Sequence, residues 1–311
     1  MLHSSPSRRT AIRVTRPEWA LIAITALWGA TFLIVHDAMR YSGPQFFVGV
    51  RFVTAGIFAA VLFRKSLRGM RPIELGAGAV IGVMIFFGYG LQTFGLQTIS
   101  SSESAFITAF YVPLVPLLQL VFLRKRPHRM AVLGIVLAFV GLLLLAGPSA
   151  WRIGLGPGET ATLLSTLAIA GEIILISRFA GRVDLARVTV VQLLVGGLLA
   201  FATMPLTGEA VPPFSWAWLV PAAGLGIASA IIQLTMNWAQ QSVSPTRATV
   251  IYAAEPVWAG IVGAVAGDRL AGAAIAGAVL IVAGVIVSEL RLPGSDPEAV
   301  ERPVDSQRLP L

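Results

Sequence analysis

The chain has 311 residues, 56% hydrophobic and 12% charged, with a formal net charge of +8 at pH 7. Soluble domains carry about a quarter charged residues, so at a mean hydropathy of +0.81 no single aqueous core could hide this apolar surface, and lipid must serve as solvent. With no cysteine, the redox compartment is unreadable.

At about 30 residues per helix and turn, the length leaves room for about ten membrane spans and no separate soluble domain. The apolar runs predict them at 18–36, 44–63, 73–97, 102–123, 130–147, 159–177, 188–205, 217–239, 246–266 and 272–290. The run Trp19 to Val35 has no small-residue cleavage site after it, so it reads as a retained span rather than a signal peptide. This gives a basic N-terminal segment 1–17, a first five-helix unit 18–147, a linker 148–158, a second unit 159–290 and a disordered tail 291–311.

Lysine and arginine fall almost wholly on alternate connections. Nineteen lie on the side of Arg8, Arg64, Arg124, Arg178, Arg247 and the tail, against three (Arg40, Arg152, Arg269) on the other. The positive-inside bias predicts cytoplasmic termini, a periplasmic linker and a multi-pass protein of the bacterial inner membrane. The basic residues form short clusters between apolar runs, which disfavours a nucleic-acid partner despite a pI near 10.9.

An internal echo recurs at an offset of 143: Gln97, Ser101, Ala105, Pro113, Gly134 and Gly141 return as Gln240, Ser244, Ala248, Pro256, Gly277 and Gly284. Five spans per unit is odd, so the second unit enters the membrane from the opposite side. The fold class expected is therefore all-α, two inverted five-helix repeats (5+5), a design suited to alternating access by a transporter.

Four strings carry a resemblance. They are Trp28-Gly29 in the first span, Arg51-Phe52 followed by Ala55 in the second, GIVLAFVG (Gly134 to Gly141) in the fifth, and Glu255-Pro256 leading to Asp268-Arg269-Leu270 in the ninth. In this order they resemble the drug/metabolite transporter superfamily, in particular its EamA-like ten-helix exporters. The first half departs with Val112-Pro113 where the second has Glu255-Pro256, and the sixth span has Ala170-Gly171 where the family often shows Trp-Ala. The resemblance implies a central cavity among the first four helices of each half, with the fifth of each packed outside. The aromatic-bearing helices point within it to the exporters of aromatic and neutral amino acids typified by YddG.

Ionisable groups at membrane depth normally face a cavity or a partner. Arg51 reads as a buried clamp on backbone carbonyls or a helix terminus, or else as counter-charge to a substrate carboxylate. Glu255 could bind an ammonium, carry a proton, or pair with Arg51 or Arg247. Glu172 has no motif to account for it and reads as substrate-binding or proton-linked, against a structural pair. Glu103 and Arg247, at nearly equivalent turns of the two halves, read as gate or interface groups.

The expected binding set is Trp28, Tyr89, Gln92, Tyr111, Glu172, Gln233, Asn237 and Tyr252, with Trp238 on the same helix as Asn237. Convergent aromatics and amides suit a small amphipathic solute. Pro113 and Pro256 are candidate hinges. Trp19, Trp151, Trp216 and Trp218 read as interfacial belt residues, and Gly78 with Gly82 and Gly263 with Gly267 as close-packing pairs.

The chain lacks HExxH, GxSxG and any histidine at membrane depth, so no enzyme and no metal site or cofactor is expected. A scaffold would need no buried Arg51, Glu172 and Glu255. The partners expected are the bilayer and a small-molecule substrate, an amino acid or related metabolite; the membrane acids permit proton coupling without requiring it. A multidrug exporter of organic cations, working as a proton antiporter, is the alternative, since acids and aromatics both attract cations.

Overall fold

The computed structural model describes residues 14–146, 156–265 and 272–289. These form α1 (Arg16–Ala38), α2 (Pro44–Leu62), α3 (Pro72–Gly95), α4 (Ser101–Thr108), α5 (Tyr111–Leu118) with a π-helical turn (Gln119–Leu123), and α6 (Arg129–Ala146). The second half follows with α7 (Pro157–Phe179), α8 (Leu185–Thr207), α9 (Trp216–Ala239), α10 (Pro245–Tyr252), α11 (Glu255–Val265) and α12 (Gly272–Glu289). Seven stretches are long and apolar enough to cross a membrane, with two shorter apolar helices at 129–144 and 272–288. The expected tail, most of the linker, Trp151, Arg152, Gly267, Asp268 and Arg269 lie outside the described residues.

Helix starts follow local chemistry. Pro17, Pro72 and Pro157 stand in first turns, where a missing N–H costs nothing. Glu18 reaches back to the Thr15 N–H at 2.6 Å, and Asp184, Ser215 and Ser244 accept from first-turn amides of α8, α9 and α10.

Two expected spans, 102–123 and 246–266, are each broken near their centres, at Ala109–Phe110 and Ala253–Ala254. The cause is proline chemistry. Pro113 and Pro256 cannot donate, and their rings crowd the carbonyls of Ala109 and Tyr252 four residues back. The backbone tightens there to bonds three residues apart: Phe110 to Ile107 and Val112 to Ala109 in one half, Ala254 to Ile251 and Val257 to Ala254 in the other.

The halves interleave. α2 packs on α8 and α9, α3 on α7 and α8, α1 on α9 and α11, and α6 on α12. Glycines set the closeness of these crossings. A Cβ on Gly134 would lie 2.6 Å from the Gly284 carbonyl, and one on Gly141 2.6 Å from that of Gly277, so α6 and α12 run antiparallel with reciprocal contacts between repeat-equivalent residues. Gly78 and Gly82 admit Val191 and Val195 of α8 in the same way, as a close-packing pair should.

One end of the bundle is stitched by ion pairs across the halves. Glu74 accepts from Arg187 at 3.0 Å and Arg71 at 2.9 Å, while Arg187 also holds the carbonyls of Ser66, Arg68 and Gly69. At the same end Arg247 of α10 meets Glu18 of α1 at 2.5 Å. At the other end Glu209 caps α2, accepting from the Gln45 and Phe46 amides at 3.0 and 2.7 Å.

Candidate substrate cavity

Trp28 of α1, Tyr89 and Gln92 of α3, Thr108 of α4, Tyr111 of α5, Ile169 of α7 and Glu255 of α11 line a cavity between the halves. Both proline breaks open onto it. Ending α4 at Thr108 and starting α5 at Tyr111 turns both residues inward, and starting α11 at Glu255 brings that carboxylate to the same place. The cavity is about 10 Å³, room for about one water. As it stands, the cavity is too small for a metabolite.

The lining is aromatic and sparsely polar. Trp28 meets Tyr252 edge-on at 5.6 Å, and Gln92 donates to the Thr108 hydroxyl at 3.0 Å. Tyr111 and Tyr252 are buried, too deep for an interfacial belt. Glu255 is 6% exposed and, among the described residues, accepts no hydrogen bond and forms no ion pair. A carboxylate left so in an apolar wall is costly unless something enters to meet it.

The other expected residues form a second cluster. Gln233 donates to Glu172 at 2.7 Å, Gln192 to Gln233 at 2.7 Å, and Asn237 to Gln192 at 3.2 Å and to Thr189 at 2.9 Å. Every amide in this buried chain donates toward Glu172, which suits a negative charge there. Glu172 stands three residues after Ile169 of the lining on the same helix, α7, so the chain ends one turn from a cavity residue. Gln192, Thr108 and Ile169 escaped the sequence reading; Gln192 alone left a trace, as a lone amide inside an apolar run.

Among the described residues, Arg51 makes no hydrogen bond to a backbone carbonyl. Its Nε donates to the Ser229 hydroxyl at 2.8 Å, its guanidinium lies 5.1 Å from the Tyr89 ring and 5.3 Å from Phe52, and its Nη2 is buried without a partner. Arg247 pairs with Glu18 rather than Glu255. Trp238 is 42% exposed and faces away from Gln233 and Asn237. Trp218 is buried, not interfacial: it packs on Phe46 at 4.8 Å and donates to the Pro213 carbonyl at 3.0 Å.

The EamA-like transporter family matches the chain twice, over 16–147 and 156–290, one copy per half. The chain belongs to the EamA-like transporter family. It is a multi-pass membrane transporter, as the resemblance implied. It is 30% identical to an uncharacterized transporter of Archaeoglobus fulgidus over 88% of this chain and 86% of that one. It is 27% identical to the uncharacterized inner membrane transporter YedA of Escherichia coli K12, over 78% and 80%. An S-adenosylmethionine/S-adenosylhomocysteine transporter of Chlamydia muridarum is 28% identical over 58% of this chain and 61% of its own. A crystal structure of a protein 20% identical superposes with a TM-score of 0.72 over 89% of this chain and 98% of that one, which shows the shared fold.

Proposed function

We propose that this transporter exports small amphipathic metabolites, aromatic and neutral amino acids above all, from the cytoplasm by alternating access around the cavity of Trp28, Tyr89, Gln92, Tyr111 and Glu255. The observation that carries the reading is Glu255 among aromatic rings with no hydrogen bond or ion pair among the described residues, which fits a solute with an ammonium and an apolar body. Alignment with the YddG-type exporters rests on the same aromatic lining. The Chlamydia relative adds support, because both solutes in its name carry an amino-acid group.

Ten spans in two inverted repeats complete the proposal, with the broken pairs α4–α5 and α10–α11 counted as the fourth and ninth. The reciprocal, antiparallel contacts of α6 and α12 support inversion, since a two-fold axis along the membrane normal would set equivalent helices parallel. The ion-paired end is read as cytoplasmic from its arginines, and Pro113 and Pro256 as hinges.

A neutral zwitterion is not driven by membrane potential alone, so the reading favours gradient-driven export, with Glu172 as the site for proton coupling if export is coupled. Counterflow in proteoliposomes with labelled Trp, Phe, Met and Thr, with and without a pH gradient, tests it. Saturable exchange indifferent to the gradient is expected; no exchange of any amino acid overturns the substrate. The carboxylate among aromatics also favours a second reading, organic-cation/proton antiport. In that case quaternary cations exchange and amino acids do not.

A further inference from the structure

The cavity region holds a second buried charge whose capacity is not used up. Arg51 is 3% exposed, its Nε is taken by Ser229, and its Nη2 has no partner among the described residues. It touches the ring of Tyr89, a lining residue, and so lies one side chain behind the cavity wall. Glu255, in the wall itself, likewise makes no hydrogen bond or ion pair among the described residues.

We infer that Glu255 and Arg51 form the two poles of one zwitterion site, Glu255 receiving the substrate's ammonium and Arg51 Nη2 its carboxylate, with Tyr89 and Trp28 against the apolar side chain. The inference rests on the amino-acid reading above and deepens it. Buried charges of opposite sign that do not pair with each other are best satisfied together by a ligand carrying both. A single cation would meet Glu255 and leave the guanidinium unanswered. A single anion would do the reverse. The free Nη2 is suited to a carboxylate, because the guanidinium is a planar donor and the Nε bond to Ser229 restrains its orientation. The cavity as it stands admits about one water, so a solute must part the lining, and Arg51 lies against Tyr89 together with Phe52.

The test is inhibition of phenylalanine counterflow by three probes of one shape: phenylalanine, phenethylamine and 3-phenylpropanoate. The wild type is compared with Arg51→Gln, Arg51→Lys and Glu255→Gln, all checked for monodispersity in detergent. In the wild type both singly charged probes are expected to inhibit at least roughly tenfold more weakly than phenylalanine, as loss of one charged hydrogen bond implies. Arg51→Gln should erase the preference over the amine alone, and Glu255→Gln the preference over the acid alone, with Arg51→Lys intermediate. Should Arg51→Gln not fold, Arg51→Lys and the wild-type ranking still decide. Wild-type phenylalanine exchange with equal inhibition by the amine, or with ratios unchanged in the variants, overturns this inference alone. Absence of wild-type phenylalanine exchange overturns the amino-acid reading and this inference with it.

Discussion

Arg247, at the start of α10 in the second half, holds Glu18, at the start of α1 in the first, at 2.5 Å with the carboxylate almost wholly buried. The pair bridges the halves at the end where the arginines cluster. Removing Arg247 takes the counter-charge from the buried Glu18 carboxylate and leaves it the Thr15 N–H, at a cost of about 1–3 kcal/mol for a pair this partly exposed on the arginine side. Glu18→Gln or Arg247→Gln should open that end. The chain has no cysteine, so a single Thr108→Cys reports directly on access to the cavity. Labelling by an impermeant maleimide from the ion-paired side should speed up in either variant, and the exchanged pair Glu18→Arg with Arg247→Glu should restore the slow rate.

Glu74 and Arg187 make the second tie at that end, and here geometry matters more than charge. Arg187 donates to Glu74 and to three loop carbonyls, a set of directions that a lysine ammonium cannot reproduce. Arg187→Lys should therefore lower stability nearly as much as Arg187→Ala, by about 2–4 kcal/mol. Thermal unfolding in detergent measures both, and full recovery by lysine would contradict the geometry.

The α6–α12 crossing predicts a steric penalty without any loss of site chemistry. A methyl on Gly284 would stand 2.6 Å from the Gly134 carbonyl and 3.0 Å from the Ala138 amide, atoms of a backbone that cannot yield. Gly284→Ala should cost about 1–3 kcal/mol. Protein that survives should keep the wild-type concentration dependence of exchange, because no residue of these two helices lines the cavity.

Pro256→Ala returns a donor to the Tyr252 carbonyl and lets α10 and α11 approach one continuous helix. The expected result is unchanged or raised thermal stability with slower exchange, since straightening moves Glu255 out of the lining it shares with Tyr89. Pro113→Ala should act likewise through Thr108 and Tyr111. Faster exchange in both would show that the breaks serve neither placement nor movement.

Much of this arrangement was legible in the sequence, for definite reasons. Apolar runs of membrane length predict helices because backbone groups in lipid have no other way to be satisfied; the echo of Gly134 and Gly141 in Gly277 and Gly284 marked a duplicated unit, but not that these glycines meet across α6 and α12. Trp28, Tyr89, Gln92, Tyr111 and Glu255 line one cavity. What stayed hidden depends on which helix faces which. Arg51 meets Ser229 from 178 positions away, and nothing local marks that serine. Glu18 stands at the first position of an expected span, and nothing local marks Arg247 as its partner. The split of one expected binding set into a cavity and an amide chain is likewise a matter of helix rotation, which hydropathy does not encode.

The docking of α12 on α6 also bears on how the protein is made. α6 is synthesised with its glycine face exposed, and five further helices must enter the membrane before the segment Gly272–Glu289 arrives to cover it. Until then the first half waits with an unfilled groove. A stall or truncation just before α12 would thus strand a chain that already contains every residue of the cavity, and the quality-control machinery of the membrane should degrade it as unassembled.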